Sequence, residues 1–233
     1  MVIPVDSGKD YLTWGFDFAL STFYEVETSL VEPLLPPRLT AMEAAPGVSL
    51  IMVTCFNFAE GSLGTLPEFQ ELIFGVVVSP DLSRGVPKFA TYVVSLASSS
   101  QEHLDHSKEY YKLPIFGQLS KVGISREELA VEYEDSRGEI LTMNNCVPNP
   151  AYKKGESYFQ VYTSEDSSIY VGDVYVKARM FEHQEPGDVG KLFNHPFFGD
   201  LDIEEADPTV YLQIINEPRK IGEQYYFKPE KYA

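Results

Sequence analysis

Short apolar runs bounded by Gly, Pro, Ser or Asp recur along the chain, and most of them have the character of strands. "VSLIMVTCFNF" (Val48–Phe58), "QELIFGVVVS" (Gln70–Ser79) and "FATYVVSLAS" (Phe89–Ser98) are rich in β-branched and aromatic residues. Runs of this length and composition predict buried strands. In "LAVEYEDSRGEILTMNN", Leu129, Val131 and Tyr133 alternate with Ala130, Glu132 and Glu134, and Gly138 supplies the turn. That period predicts a half-buried hairpin. "ESYFQVYTSEDSSIYVGDVYVKARMFE" predicts a second hairpin, turning near Glu165–Ser168.

Helical spacing is confined to two places. "VETSLVEPLLPPRL" begins as a helix that Pro33, Pro36 and Pro37 hold to a short segment. "SSSQEHLDHSKEYY" is the better candidate: Ser99 and Glu102 have capping-box spacing, and Pro114 stops the helix by Leu113. Repeats, low-complexity tracts and linkers are not visible. The pattern predicts one mainly β (α+β) domain over residues 1–233, a barrel or large sandwich carrying a few short helices.

Composition narrows the partners. The 15 Tyr and 15 Phe suit a strand-rich fold with an aromatic-lined interior. With 18 Lys+Arg against 35 Asp+Glu the net charge is −17, a field that repels phosphate backbones and anionic lipid. Nucleic acid and membrane surfaces are therefore not expected as partners. No apolar run reaches the ~18–20 residues of a membrane helix. The start, "MVIPVDSGKDYLTWGF", lacks the pattern of a secretory signal. Cys55 and Cys146 have no metal or redox spacing and read as buried free thiols, so a cytoplasmic protein is expected.

Three kinds of residue are candidates for chemistry. His103 and His106 have i, i+3 spacing around Asp105, but two imidazoles without a third ligand make an incomplete metal site. Beside Ser, Gln, Asp and Lys they read more plainly as a solvated helix face. His183 and His195 have no partner readable from spacing. Glu71 lies at the mouth of the most continuous apolar strand. It is either a solvated strand end or a carboxylate in a dry pocket, where desolvation tunes such groups for general acid–base work. Lys108, Lys112 and Lys121 flank the step "LPIF". An attacking amine must be unprotonated, which takes burial or a cationic neighbour, and these three read as solvated.

Taken together, these stretches resemble the acetoacetate decarboxylase-like family, which has a β-barrel or β-cone fold. The likeness runs through "FYEVETSLVEPLLPPRL" (Phe23–Leu39), through "FQELIFGVVVS", which carries Glu71 at the family's glutamate position, and through "SKEYYKLPIF". "GKLFNHPFFGDLDIEEADP" has a weaker likeness to the family's tail. Lys108–Glu109 stand at the family's Arg-Glu, and Pro114 at its Pro. The two positions that follow, lysines in the decarboxylases, are Ile115 and Phe116. "VSLIMVTCFNF" has no counterpart of the family's second glutamate, and an ungapped reading puts Asp17 at its arginine, while Lys9 would need a shift. Of the site implied by the resemblance, Glu71 survives and the Schiff-base amine does not.

No cofactor motif is visible, so none is expected, and the resemblance implies an enzyme that tends to form homo-oligomers. Without its lysines the pocket should be more apolar and suit a larger, neutral, polycyclic or enone-like molecule. The leading expectation is dehydration, isomerisation or cyclisation of a small, largely apolar carbonyl compound, as in natural-product biosynthesis. Glu71 would act as general acid–base, and Tyr110, Tyr111, Ile115 and Phe116 would form the substrate wall. Two alternatives stand beside it. One is a Schiff-base lyase using Lys112 or Lys121, and the other is a non-catalytic protein that binds small molecules.

Overall fold

A computed structural model describes residues 10–59, 66–125, 130–144, 153–183, 190–201, 203, 208–216 and 221–232, the side chains of 144, 181–183, 190 and 208–216 excepted. Seven strands form a closed barrel. In chain order they are β1 (Tyr11–Glu27), β2 (Val48–Phe58), β3 (Phe69–Val78), β4 (Phe89–Ser98), β5 (Lys153–Glu165), β6 (Ser168–His183) and β7 (Gly222–Phe227). Each pairs with the next, and β7 pairs back onto β1. All contacts are antiparallel except β4 with β5, which are parallel. Closure removes the free edges that an aromatic-rich sheet would otherwise expose.

The three predicted runs coincide with β2, β3 and β4 to within one residue. The second predicted hairpin is β5–β6, turning at Asp166 and Ser167 with φ of 48° and 63°. Two successive positive φ values match the right-handed twist of the flanking strands. The residue pattern predicts neither of the strands that close the barrel, β1 and β7; only the end of β1, from Phe23, is implied by the resemblance, whose early strand and helix match Phe23–Leu39. β1 is hidden because its register shifts between Phe16 and Phe18. Trp14 and Phe16 face inward before the shift, and Ala19 faces inward after it, so the period of two is broken mid-strand.

A second sheet, ordered Gly190–Leu192, Gly138–Asn144, Ala130–Asp135 and Lys121–Ser125, covers part of the barrel's outer wall. The other predicted hairpin lies in it, with Val131 and Tyr133 buried; Leu129 lies outside the described residues. The barrel wall thus separates two cores. Phe18, Leu20, Cys55, Phe74 and Val76 pack outward against Tyr133, Leu141 and Met143 of the small sheet. Trp14, Phe16, Phe58, Phe69, Val93 and Val174 pack inward. Cys55 is a buried free thiol in the outer core, and Cys146 lies outside the described residues.

The helices are α1 (Thr28–Val31), running into a 3-10 turn at Glu32–Leu34, and α2 (Gln101–Tyr111). The cap of α2 is Ser100, whose hydroxyl accepts from the His103 N–H at 3.3 Å, rather than the expected Ser99. Ser99 is committed elsewhere: its Oγ accepts from the Gln70 N–H at 2.9 Å. Ser98 donates to the Gln70 carbonyl at 2.9 Å. These bonds fasten the start of α2 to β3 beside Glu71. At the other end, Lys112 takes a left-handed turn (φ 59°) and Pro114 prevents continuation. No helix among the described residues is long and apolar enough to cross a membrane.

Candidate active site

Helix α2 presents His103, Ser107 and Tyr111 to the barrel mouth, at i, i+4 and i+8, with Leu104 beside them. All four are buried. The solvated-face reading of the histidines is therefore corrected for His103, which is 2% exposed. Its ring stacks on Phe69 at 4.3 Å and meets the edge of Trp14 at 5.6 Å. His106 is half-buried behind Trp14 and Tyr110, and burial, with His103 adding to it, lowers its pKa. No cluster of His, Cys, Asp and Glu among the described residues could hold a metal ion.

Below the helix the barrel lumen holds a cavity of about 90 Å³. At ~10–15 Å³ per water-sized group, it takes a molecule of roughly six to nine such groups. That is smaller than the polycyclic ligand expected from the loss of the lysines. Every barrel strand lines it, with Trp14 from β1, Phe56 from β2, Ile73 from β3, Val93 from β4, Val161 from β5, Val174 from β6 and Tyr226 from β7. The described lining residues include no Lys or Arg, and tyrosines apart, their ionisable groups are Glu71 and His103.

These two form the polar end of an otherwise apolar chamber. His103 Nε2 stands 3.1 Å from Glu71 Oε2 and 3.0 Å from Ser107 Oγ. Of the two oxygens the carboxylate is the stronger acceptor, so the Nε2 proton goes to Glu71. This is not a relay of the Ser–His–acid kind, because serine and carboxylate share one ring nitrogen. His103 Nδ1 is buried without a partner among the described residues. Beside this pair, Trp14 Nε1 donates to the Tyr111 hydroxyl at 2.7 Å. The Tyr111 ring stacks on Tyr226 at 3.9 Å and 11°.

Burial pushes both tyrosines well above their ordinary pKa, and the Glu71 carboxylate adds to the shift in each. For Tyr111 the Trp14 N–H works in the opposite direction and Tyr226 in the same one, but burial dominates. Both hydroxyls stay protonated across the physiological range. The room for Tyr226 comes from Gly172 on β6, where a Cβ would meet the tyrosine Cε2 at 2.6 Å. An alanine at 172 must push the Tyr226 ring, stacked on Tyr111, out of its place. Gly172→Ala is expected to cost about 1–3 kcal/mol through overpacking, read as a lowered thermal midpoint.

No protein-family model and no curated protein sequence matches the chain. Solved structures do. An acetoacetate decarboxylase superposes with a TM-score of 0.65 at 12% identity, over 100% of this chain and 95% of the other. The decarboxylase of Legionella pneumophila gives 0.62 at 12% identity, covering 97% and 88%. A complex of the enduracididine biosynthesis enzyme MppR with the condensation product of pyruvate and imidazole 4-carboxaldehyde gives 0.59 at 12%, covering 95% and 88%. The chain has the acetoacetate decarboxylase fold.

Within the acetoacetate decarboxylase fold the expected site residues separate. Glu71 and Tyr111 meet at the lumen. Tyr110 is one helical step away, turned outward onto His106, with Lys228 5.8 Å from its ring centre. Ile115 and Phe116, at the positions where the resemblance implies lysines, lie on a short strand (Ile115–Gln118) paired with β4, and neither lines the cavity. Ile115 packs behind the inner core. Phe116 points to the outer side, under the Arg137 guanidinium at 4.0 Å. Lys112 pairs with Glu165 and Lys121 with Glu132, both at 3.2 Å and outside the lumen, and Lys108 is exposed. Asp17 accepts from Asn57 Nδ2 at 2.8 Å, and Lys9 lies outside the described residues.

Trp14, Ser107 and Tyr226 are polar-tipped lumen residues that sequence reasoning missed, and His103, noted there only as half of a metal pair or a solvated face, belongs with them. The stripe 103–104–107–111 was visible as helical spacing, and it outranks the i, i+3 histidine pair as a guide to which face is buried.

Proposed function

We propose that the protein is an enzyme acting on a small, largely apolar carbonyl or enone-type molecule by proton transfer, without a Schiff base. The observation that carries the reading is the lumen's charge: one buried carboxylate, Glu71, held by His103, and no lysine among the described residues that line it. An enclosed apolar chamber with one convergent acid–base group is the usual form of such a site. Glu71 takes and returns a proton, His103 fixes its orientation, and Tyr111 donates a hydrogen bond to the substrate oxygen. The biosynthesis enzyme MppR, which has the same fold, is complexed with the condensation product of two small carbonyl compounds, pyruvate and imidazole 4-carboxaldehyde. That likeness supports the substrate class and leaves the reaction to the site.

Intact-mass analysis after borohydride reduction, with a panel of β-keto acids and β-diketones, tests the missing amine. The expected result is an unmodified protein beside a labelled acetoacetate decarboxylase control. A lysine-linked adduct would sink the reading and restore Schiff-base chemistry.

A further inference from the structure

The hydroxyl groups of the lumen differ in how far they are already used. Ser21 and Thr54 bond each other at 2.8 Å, and Thr91 donates to the Val76 carbonyl at 3.2 Å. Tyr226, buried and lining the cavity, has no partner for its hydroxyl among the described residues. Tyr111 accepts the Trp14 N–H at 2.7 Å, which leaves its own O–H to donate. An unmade hydrogen bond at a buried hydroxyl is costly, and native interiors keep few of them without a reason. The two rings stack face to face at 3.9 Å, and Glu71 acts electrostatically on both hydroxyls. One carboxylate and two phenolic donors thus line the same chamber.

We propose that Tyr226 and Tyr111 form a two-donor clamp for the oxygen of a neutral ketone or enone, and that Glu71 enolises the molecule held there. This rests on the reading of Glu71 as general acid–base and adds the substrate's charge class and the partner of its oxygen. In the step, Glu71 takes a proton from the carbon next to the carbonyl. The C–H electron pair becomes a C=C bond, and the carbonyl π pair moves to the oxygen, where the two O–H groups stabilise it. The proton on Glu71 then exchanges with solvent, and a solvent proton (a deuteron in D2O) is delivered from Glu71 to the same carbon, or to the vinylogous one in an enone, so nothing is consumed. Donors fixed in a water-poor site stabilise such an oxyanion far better than water does. The Trp14 bond polarises Tyr111 and strengthens it as a donor.

Charge selects the class. A free carboxylate would enter a lumen that offers it Glu71 and, among the described lining residues, no Lys or Arg. Keto acids are therefore disfavoured, although their neutral counterparts fit the same volume.

The experiment follows proton NMR of cyclohex-2-enone in D2O with the full chain, with levulinate as an anionic ketone of similar size, and measures binding of both by calorimetry. The expected result is faster deuterium uptake at the enolisable carbons of cyclohexenone and none above buffer for levulinate. Tyr226→Phe should slow uptake about 10²-fold, with a smaller change in cyclohexenone affinity and an unchanged melting profile. Gly172→Ala, which displaces the same ring and keeps its hydroxyl, should slow it too. Wild-type exchange in Tyr226→Phe overturns the clamp while leaving Glu71 as the base. Equal exchange of levulinate overturns the neutral class. Wild-type exchange in Glu71→Gln overturns the underlying reading, and binding without any exchange overturns both.

Discussion

Glu71→Gln is expected to lower turnover, or the exchange of enolisable protons, by roughly 10²–10⁴-fold. The substitution isolates the proton-transfer role because it changes little else. Glutamine keeps the length of the side chain and an oxygen that accepts from His103 Nε2, now 3.1 Å from Glu71 Oε2. The lumen stays filled to the same volume, so the thermal midpoint should hold while the rate collapses. Lost chemistry at unchanged ligand affinity is the signature of an interaction made in the transition state. A rate within twofold of wild type would remove Glu71 from the mechanism. A changed affinity with no wild-type turnover to lose would favour a protein that only binds.

Much of the fold was legible because most barrel strands obey one period. β2, β3 and β4 are continuous apolar runs because they separate two cores: lumen on one face, the small sheet on the other. A strand buried on both faces needs no polar alternation. β1 escaped for a physical reason, since its bulge turns Trp14 and Phe16 and then Ala19 inward, and no single period describes it. The β4–β5 pairing is parallel and joins residues far apart in sequence, Phe89 with Phe159 and Tyr92 with Tyr162, so it leaves no local signature at all.

The site was legible in its centre and blurred at its edge. Glu71 stood out as a carboxylate in an apolar strand, and the strand buries it to 5% exposure. The wall was harder. Tyr110, Tyr111, Ile115 and Phe116 are sequence neighbours, but one helical step separates an outward tyrosine from an inward one, and the short strand after Pro114 turns Phe116 to the outer core. Proximity in sequence stood in for proximity in space there. His103 illustrates the reverse error: polar neighbours on the helix said nothing about the aromatic pocket of Phe69 and Trp14 that receives it. Tyr226 comes from the far end of the chain and enters the site through barrel closure, which no local pattern encodes.

The second large effect concerns stability and lies outside the barrel, in the small sheet. Asp135, at the turn of the small sheet's hairpin, accepts from the Arg137 N–H at 2.6 Å and from its guanidinium at 2.9 and 2.8 Å. It also takes the His195 Nε2 proton at 3.1 Å. His195 Nδ1 accepts the Phe197 N–H at 3.1 Å, so both ring nitrogens are committed and the imidazole is a fastener. This cluster ties the hairpin to the 195–198 turn, whose Phe197 and Phe198 seal the outer core against Phe74. The Arg137 guanidinium is half exposed, so its share is screened, and the buried Asp135–His195 bond dominates. Asp135→Ala leaves a buried N–H unpaired and should cost about 3 kcal/mol, a fall of roughly 6–12 °C in thermal midpoint. Burial alone would raise the Asp135 carboxyl, but the Arg137 and His195 contacts outweigh it and hold it below the usual range. The unfolded chain therefore binds this proton first as the pH falls. The contribution is complete above the unfolded value of about 3.9 and is lost as the pH drops through the lower folded one. Thermal melts of wild type and Asp135→Asn from neutral pH to about pH 3 should therefore converge at the acid end. Curves that stay parallel would show that the charge on Asp135 does not hold the hairpin down.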